Sequence, residues 1–166
     1  FGLYHQFSKN AHIVTITTGD AGENHYDLLY EAPKEAYRIK GHLRLWNSLT
    51  IPLLGDVPFK QMVNLAYPDE KLPLMYADSS ASFGPRFVEI DDLDRYRSHN
   101  TAPLRPRSGM TWTALVQDLK DLLYQIDPDV IVTPHPVLDK HPDHKFSTIA
   151  VLEAAQKIPE RTRQFW

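Results

Sequence analysis

The feature that most constrains the fold is an alternation of short β-branched strand patterns with amphipathic helix patterns. The six patterns cover residues 11–18, 33–49, 62–67, 111–126, 130–133 and 144–157, with strands and helices in turn. In the first helix pattern, the helical spacing places Ala36, Ile39, Leu43, Trp46 and Leu49 on one face. Strands that alternate with helices are typical of α/β domains, so we predict an α/β fold with a mostly parallel sheet.

The length and composition of the chain predict a single folded domain over 1–166. A chain of 166 residues can bury one hydrophobic core, and its 42% hydrophobic and 23% charged residues are typical of globular proteins. The stretch at about 73–108 lacks periodicity and is broken by prolines. Because long irregular segments in compact domains are usually functional lids or disordered, we predict an insertion or lid there.

Charge and residue usage exclude several classes of protein. The formal net charge is −3, which argues against a nucleic-acid partner, since such proteins usually present a basic face. The chain has no cysteine, so a disulfide scaffold and a thiolate metal site are both excluded. No apolar run is long enough to span a bilayer. The chain begins at Phe1 without a methionine, and we expect residues to be missing upstream.

The candidate chemistry lies in the loops that follow the predicted strands, because ligands of open α/β sheets bind at the carboxyl ends of strands. These loops are 17–24, 67–70 and 134–143, and all three carry polar or ionisable residues. The third is the most informative, since three histidines and two aspartates lie within 134–144. Imidazole and carboxylate together suit zinc and similar divalent ions, although a His-rich loop taken alone is more often a solvated turn.

The spacing within this loop supports several roles. His141 and His144 lie three residues apart, and they can converge if His144 is on the first turn of a helix. Asp143 between them could orient one imidazole or cap the helix. His135 is flanked by prolines, which favours a structural role.

Three segments resemble the PIG-L/LmbE family of zinc-dependent deacetylases. The run Asp139-Lys140-His141-Pro142-Asp143-His144, after the strand at 128–133, is similar to the family's D-x-H-P-D-H motif. The segments 13–22 and 64–69 resemble its "VtvvTlTnGeaG" and "v..LgypDg" patterns. The resemblance implies a Rossmann-like, three-layer α/β/α fold and a metal-dependent hydrolase that removes N-acetyl groups from amino-sugar glycoconjugates.

The resemblance also implies roles for individual residues. It makes His144 a ligand of Zn²⁺ or another divalent metal, His141 a catalytic or oxyanion-stabilising group, and Asp143 the residue that supports His141. Arg38 approximately matches a substrate-binding arginine of the family.

One family motif is missing from the chain. The A-H-P-D-D-E motif, which carries the other metal ligands and the catalytic base, does not occur in the sequence. We therefore expect an incomplete N-terminus and an inactive fragment. The alternative hypothesis is a non-catalytic α/β module that binds a sugar or a nucleotide at the same strand ends.

Overall fold

A computed structural model describes residues 9–22, 33–84 and 109–158, together with the backbone of 164–165. The described residues fall into two compact units. The first contains the described residues up to Asp69 together with Gly84, and the second contains Glu70–Phe83 and the described residues from Gly109 onward. The predicted lid at about 73–108 lies mostly outside the described residues.

Among the described residues of the first unit, two parallel strands form a sheet. Strand β1 (Ile13–Thr17) pairs with β2 (Met62–Tyr67), which is buried along its whole length. The register runs from Ile13 opposite Met62 to Thr17 opposite Tyr67, and a bulge interrupts it after Thr15. β-Branched and apolar residues suit such a buried parallel pair.

Helix α1 (Pro33–Thr50) packs on this sheet in the first unit. Leu49 forms a small core with Val57 and Met62, against which Ile13 packs. The helix was predicted correctly, but its buried face was not, because Leu43 and Trp46 are 40% and 61% exposed. The buried face instead includes Lys40, whose ammonium donates a hydrogen bond to the carbonyl of Ala21 in the loop after β1.

Three helices build the part of the second unit that the structure describes. They are α2 (Leu72–Ala77), α3 (Trp112–Ile126) and α4 (Pro142–Gln156). Thr111 caps α3 by accepting a hydrogen bond from the backbone N–H of Ala114, and Asp127 ends it in a left-handed conformation.

An aromatic cluster joins the three helices. The ring centroid of Tyr76 lies 5.0 Å from that of Trp112 and 5.1 Å from that of Phe146. The indole Nε1–H of Trp112 donates a 2.8 Å hydrogen bond to Glu153, so its polar atom is satisfied while its ring is buried. This cluster fixes the helix that carries the H-P-D-H motif.

The third predicted strand, 130–133, is shorter than the sequence predicts. Strand β3 (Val130–Ile131) pairs in parallel with β4 (Gln164–Phe165), a strand that the sequence analysis did not predict. The prediction of a buried strand over 130–133 is wrong, because Val130 and Val132 are 51% and 61% exposed. An apolar run of four residues cannot by itself distinguish a buried strand from a short edge pair.

The prediction of an α/β fold with parallel strands is confirmed, whereas the single domain and the three-layer arrangement remain predictions. Within 9–22, 33–84 and 109–158, no helix combines the length and the apolar composition that a bilayer crossing requires.

Candidate functional site

The H-P-D-H motif forms the first turn of α4. His141 is the N-cap residue with an extended backbone, and Pro142 occupies the start of the helix, where its missing N–H leaves no intrahelical bond unmade. Asp143 lies in the first turn, so the interpretation of Asp143 as the N-cap is wrong. A carboxylate there is still favoured by the positive end of the helix dipole.

The two motif histidines lie side by side. The ring centroids of His141 and His144 are 4.5 Å apart with an interplanar angle of 32°, and both residues are exposed. The helical spacing of three residues therefore brings the two imidazoles together, as the sequence predicts. Their roles in metal binding and catalysis remain predictions.

Asp139 contacts both parts of the motif. Its Oδ2 lies 2.7 Å from Nδ1 of His144, and its Oδ1 accepts a 2.9 Å hydrogen bond from the backbone N–H of His141. The His141 N–H first, and then the His144 imidazole, hold the pKa of the Asp139 carboxyl below its ordinary value. Asp139 is therefore ionised at neutral pH and can only accept hydrogen bonds.

Asp143 is buried and binds a backbone turn. Its Oδ2 accepts a 2.6 Å hydrogen bond from the N–H of Glu70, and its Oδ1 accepts one of 3.3 Å from the N–H of Leu72. Asp143 therefore ties the start of α4 to the start of α2. Its predicted support of His141 remains a prediction.

The loop before α4 is ordered by its own hydrogen bonds. Nδ1 of His135 accepts hydrogen bonds from the backbone N–H groups of Val137 and Leu138, at 3.2 and 3.1 Å. The structural role predicted for His135 is thus supported. The Thr148 hydroxyl donates a 2.7 Å hydrogen bond to the carbonyl of Pro134, which joins the loop to α4.

In the first unit, the loops after β1 and β2 meet through Asp69. Its Oδ2 accepts a 3.0 Å hydrogen bond from the N–H of Ala21, and its Oδ1 lies 3.5 Å from the Thr17 hydroxyl. The buried Asp20 accepts a 2.5 Å hydrogen bond from the Thr18 hydroxyl. The convergence expected for the loops after the first two strands is therefore present.

Arg38 lies on α1 and forms an ion pair with Glu35, one turn earlier in the helix. The Arg38 hydrogen bond lowers the pKa of the exposed Glu35 carboxyl. Both side chains are more than two-fifths exposed. Substrate binding by Arg38 remains a prediction.

The predicted metal site is not complete within the part of the chain that the structure describes. No group of three or more His, Asp or Glu side chains there is arranged to hold an ion. One donor nevertheless fits zinc, because the Asp139 carboxylate on Nδ1 leaves Nε2 of His144 as the available donor. Metal-binding histidines usually give their other ring N–H to a carboxylate, carbonyl or water in this way.

The family profile of PIG-L, described as GlcNAc-PI de-N-acetylase, matches residues 2–155. The chain therefore belongs to the PIG-L family, whose members are generally deacetylase hydrolases acting on GlcNAc-type sugars. Among curated proteins and among solved structures, none matches the chain.

Asp139 and Asp69 had no predicted role of their own. Asp139 stood within the motif, and its spacing of five residues from His144 is not a helical one, so periodicity could not connect them. The position of Asp69 just after a predicted strand could have indicated that it contacts the loop after β1, because the carboxyl ends of parallel strands lie at one edge of the sheet.

Proposed function

We propose that this protein is a zinc-dependent hydrolase that removes the acetyl group from N-acetylglucosamine units of glycoconjugates. The observation that carries the proposal is the carboxylate–imidazole pair of Asp139 and His144 beside the ring of His141. Membership of the PIG-L family supports the same chemistry. A Rossmann-like three-layer fold over a single domain, 1–166, is part of the proposal.

His144 would hold the metal through Nε2. When bound, zinc would lower the pKa of its water far below that of bulk water and polarise the amide carbonyl. Catalytic zinc sites usually have three protein ligands, of which the described residues supply one. The resemblance assigns the others to the A-H-P-D-D-E motif, which the 166 residues do not contain.

His141 is the proposed group that acts on the substrate. Its exposed ring lies against that of His144, so a substrate carbonyl near the metal donor would also be near His141. An imidazole there can donate a hydrogen bond to the oxyanion of the tetrahedral intermediate or a proton to the leaving amine.

Asp143 and Arg38 have supporting roles in the proposal. Asp143 fixes the first turn of α4 through the N–H groups of Glu70 and Leu72, and thereby holds the backbone of His141. Arg38 would bind the hydroxyl or anionic groups of the glycoconjugate, since a guanidinium offers five donors.

Acetate release from an N-acetylglucosaminyl substrate tests the proposal in the intact protein. We expect His144→Ala to lose both bound zinc and activity, because it removes a metal donor. We expect His141→Ala to retain zinc but to lose about 10²- to 10⁴-fold in kcat, the usual contribution of a general acid or base. His135→Asn is the matched control, because an Asn side chain can also accept hydrogen bonds from nearby backbone N–H groups in a turn.

Two results would contradict the proposal. The first is full activity in His144→Ala. The second is an intact protein that carries no metal and releases no acetate but binds the same sugars, which would favour the non-catalytic binding module.

A further inference from the structure

The carboxylate of Asp139 has two separate partners, one on each oxygen. Oδ1 accepts the backbone N–H of His141, and Oδ2 lies 2.7 Å from Nδ1 of His144. The first contact closes a local turn, which any acceptor side chain at this position can do. The second contact crosses from the loop to the helix and reaches an imidazole.

The second contact determines which ring nitrogen of His144 carries the proton. An ionised carboxylate can only accept hydrogen bonds, so Nδ1 of a neutral imidazole must donate its N–H to Asp139. The lone pair is then on Nε2. Among the described residues, Asp139 makes the only side-chain hydrogen bond to the His144 ring.

The exposure of His144 makes this contact consequential. The side chain of His144 is 52% exposed, and that of Asp139 is 34% exposed. Without a fixed partner, an exposed imidazole exchanges its proton between the two nitrogens and rotates in solvent. Among the described residues, Asp139 is the side chain placed to fix both the orientation and the tautomer of this ring.

We propose that Asp139 is a positioning residue, which holds the His144 imidazole with its proton on Nδ1 and presents the Nε2 lone pair to a divalent cation. The inference deepens the proposed function, since it rests on His144 as the metal donor. The competing explanation is that Asp139 only closes the turn at His141. The two explanations predict opposite orders of effect for two substitutions.

Asp139→Asn retains an oxygen that can accept the N–H of His141, but it turns an NH₂ group toward the imidazole. An NH₂ group donates, so Nδ1 becomes the acceptor and the proton moves to Nε2, where it blocks the metal. Asp139→Ala removes both contacts and leaves the tautomer unbiased. If Asp139 positions His144, Asp139→Asn should lower the metal affinity more than Asp139→Ala does. If Asp139 only closes the turn at His141, Asp139→Ala should lower it more.

The first measurement is made without metal. Histidine ¹⁵N chemical shifts report the tautomer of each imidazole, and we would record them at about pH 8.5, above the range in which ordinary imidazoles are protonated. We expect the Nδ1–H form of His144 in the wild-type protein, the Nε2–H form in Asp139→Asn and a mixture in Asp139→Ala. The resonances of His135 provide an internal reference for the same loop.

The second measurement is zinc affinity by competition with a chromophoric chelator. We expect an affinity loss of about 10- to 100-fold in Asp139→Asn, the usual effect of removing a residue that supports a metal ligand, and a smaller loss in Asp139→Ala. Asp78→Asn is the control, because Asp78 also closes an exposed turn through the N–H groups of Ser80 and Ala81.

The inference and the proposed function fail in different ways. An unchanged His144 tautomer in Asp139→Asn, or zinc affinity that falls only in Asp139→Ala, overturns the inference and leaves deacetylation untouched. A tautomer that follows the prediction in a protein that releases no acetate supports the inference and overturns the proposed function.

Discussion

At Ala66 the backbone has a φ of 52°, in the left-handed region that favours glycine. The residue lies in the bulge of β2, where its N–H donates a 2.8 Å hydrogen bond to Asn64. The bulge brings Thr17 opposite Tyr67, next to the loop that holds Asp69. The family pattern that 64–69 resembles has a glycine at the position of Ala66.

Ala66→Gly is therefore expected to stabilise the protein. The left-handed conformation costs an L-residue roughly 1–2 kcal/mol, and the extra freedom of glycine in the unfolded chain offsets roughly 0.4–1 kcal/mol of that gain. The free energy of unfolding, measured with urea, should rise by about 0.5–1 kcal/mol. Ala36→Gly in α1 is the control and should lower the free energy of unfolding. A decrease with both substitutions would contradict the left-handed backbone at Ala66.

Asp143 is a buried carboxylate with a predicted catalytic role, and its hydrogen bonds to the N–H groups of Glu70 and Leu72 anchor a backbone turn. Asp143→Ala leaves the N–H of Leu72, a fully buried residue, without its acceptor. We expect the free energy of unfolding to fall by about 1–3 kcal/mol, the usual cost of an unsatisfied buried group. Asp78→Ala, at an exposed turn, should have a smaller effect; equal effects would argue against the anchoring of 70–72 by Asp143.

At the scale of elements, Glu153 joins helices α3 and α4. It accepts hydrogen bonds of 2.8 Å from Nζ of Lys157 and from the indole of Trp112. The Lys157 hydrogen bond first, and then that of Trp112, lower the pKa of Glu153 below its ordinary value of 4.5. Its stabilising contribution is thus fully present above pH 4.5 and is lost as the pH falls through the lowered pKa.

Glu153→Gln should separate charge from hydrogen bonding. The glutamine can still accept the indole N–H of Trp112 but cannot ionise, so part of the pH dependence should disappear. We expect the thermal midpoint to fall less steeply below about pH 4.5 in this variant than in the wild type. Lys157→Met serves as the control for the ion pair with Glu153. Identical dependence of the thermal midpoint on pH in the wild type and in Glu153→Gln would exclude a contribution of ionised Glu153 to stability.

The elements also show what periodicity can and cannot predict. The amphipathic helix pattern over 111–126 was predicted correctly, because Leu115, Leu119 and Leu122 follow helical spacing and are all buried. The face of α1 was not, because its buried surface includes Lys40, which a hydrophobic pattern assigns to solvent. Strand β4 was missed because two residues are too few to produce an alternating pattern.

At the scale of the whole molecule, the order of β1, α1, β2, α3, β3 and α4 was predictable from sequence because each of these elements carries its own pattern, whereas the short α2 and β4 were not predicted. The contact between the rings of His141 and His144 was predictable too, since a spacing of three residues at the start of a helix brings two side chains together. The pair of Asp139 with His144 and the anchoring of Leu72 by Asp143 were not, because both depend on how loops fold back on helix ends.

The central claim is that His144 donates Nε2 to a divalent metal in the intact protein. Elemental analysis of wild type, His144→Ala and the His135→Asn control, each purified and dialysed with zinc, tests it most directly. We predict one stoichiometric zinc in the wild type and in His135→Asn, and none in His144→Ala. Stoichiometric zinc in His144→Ala would contradict it.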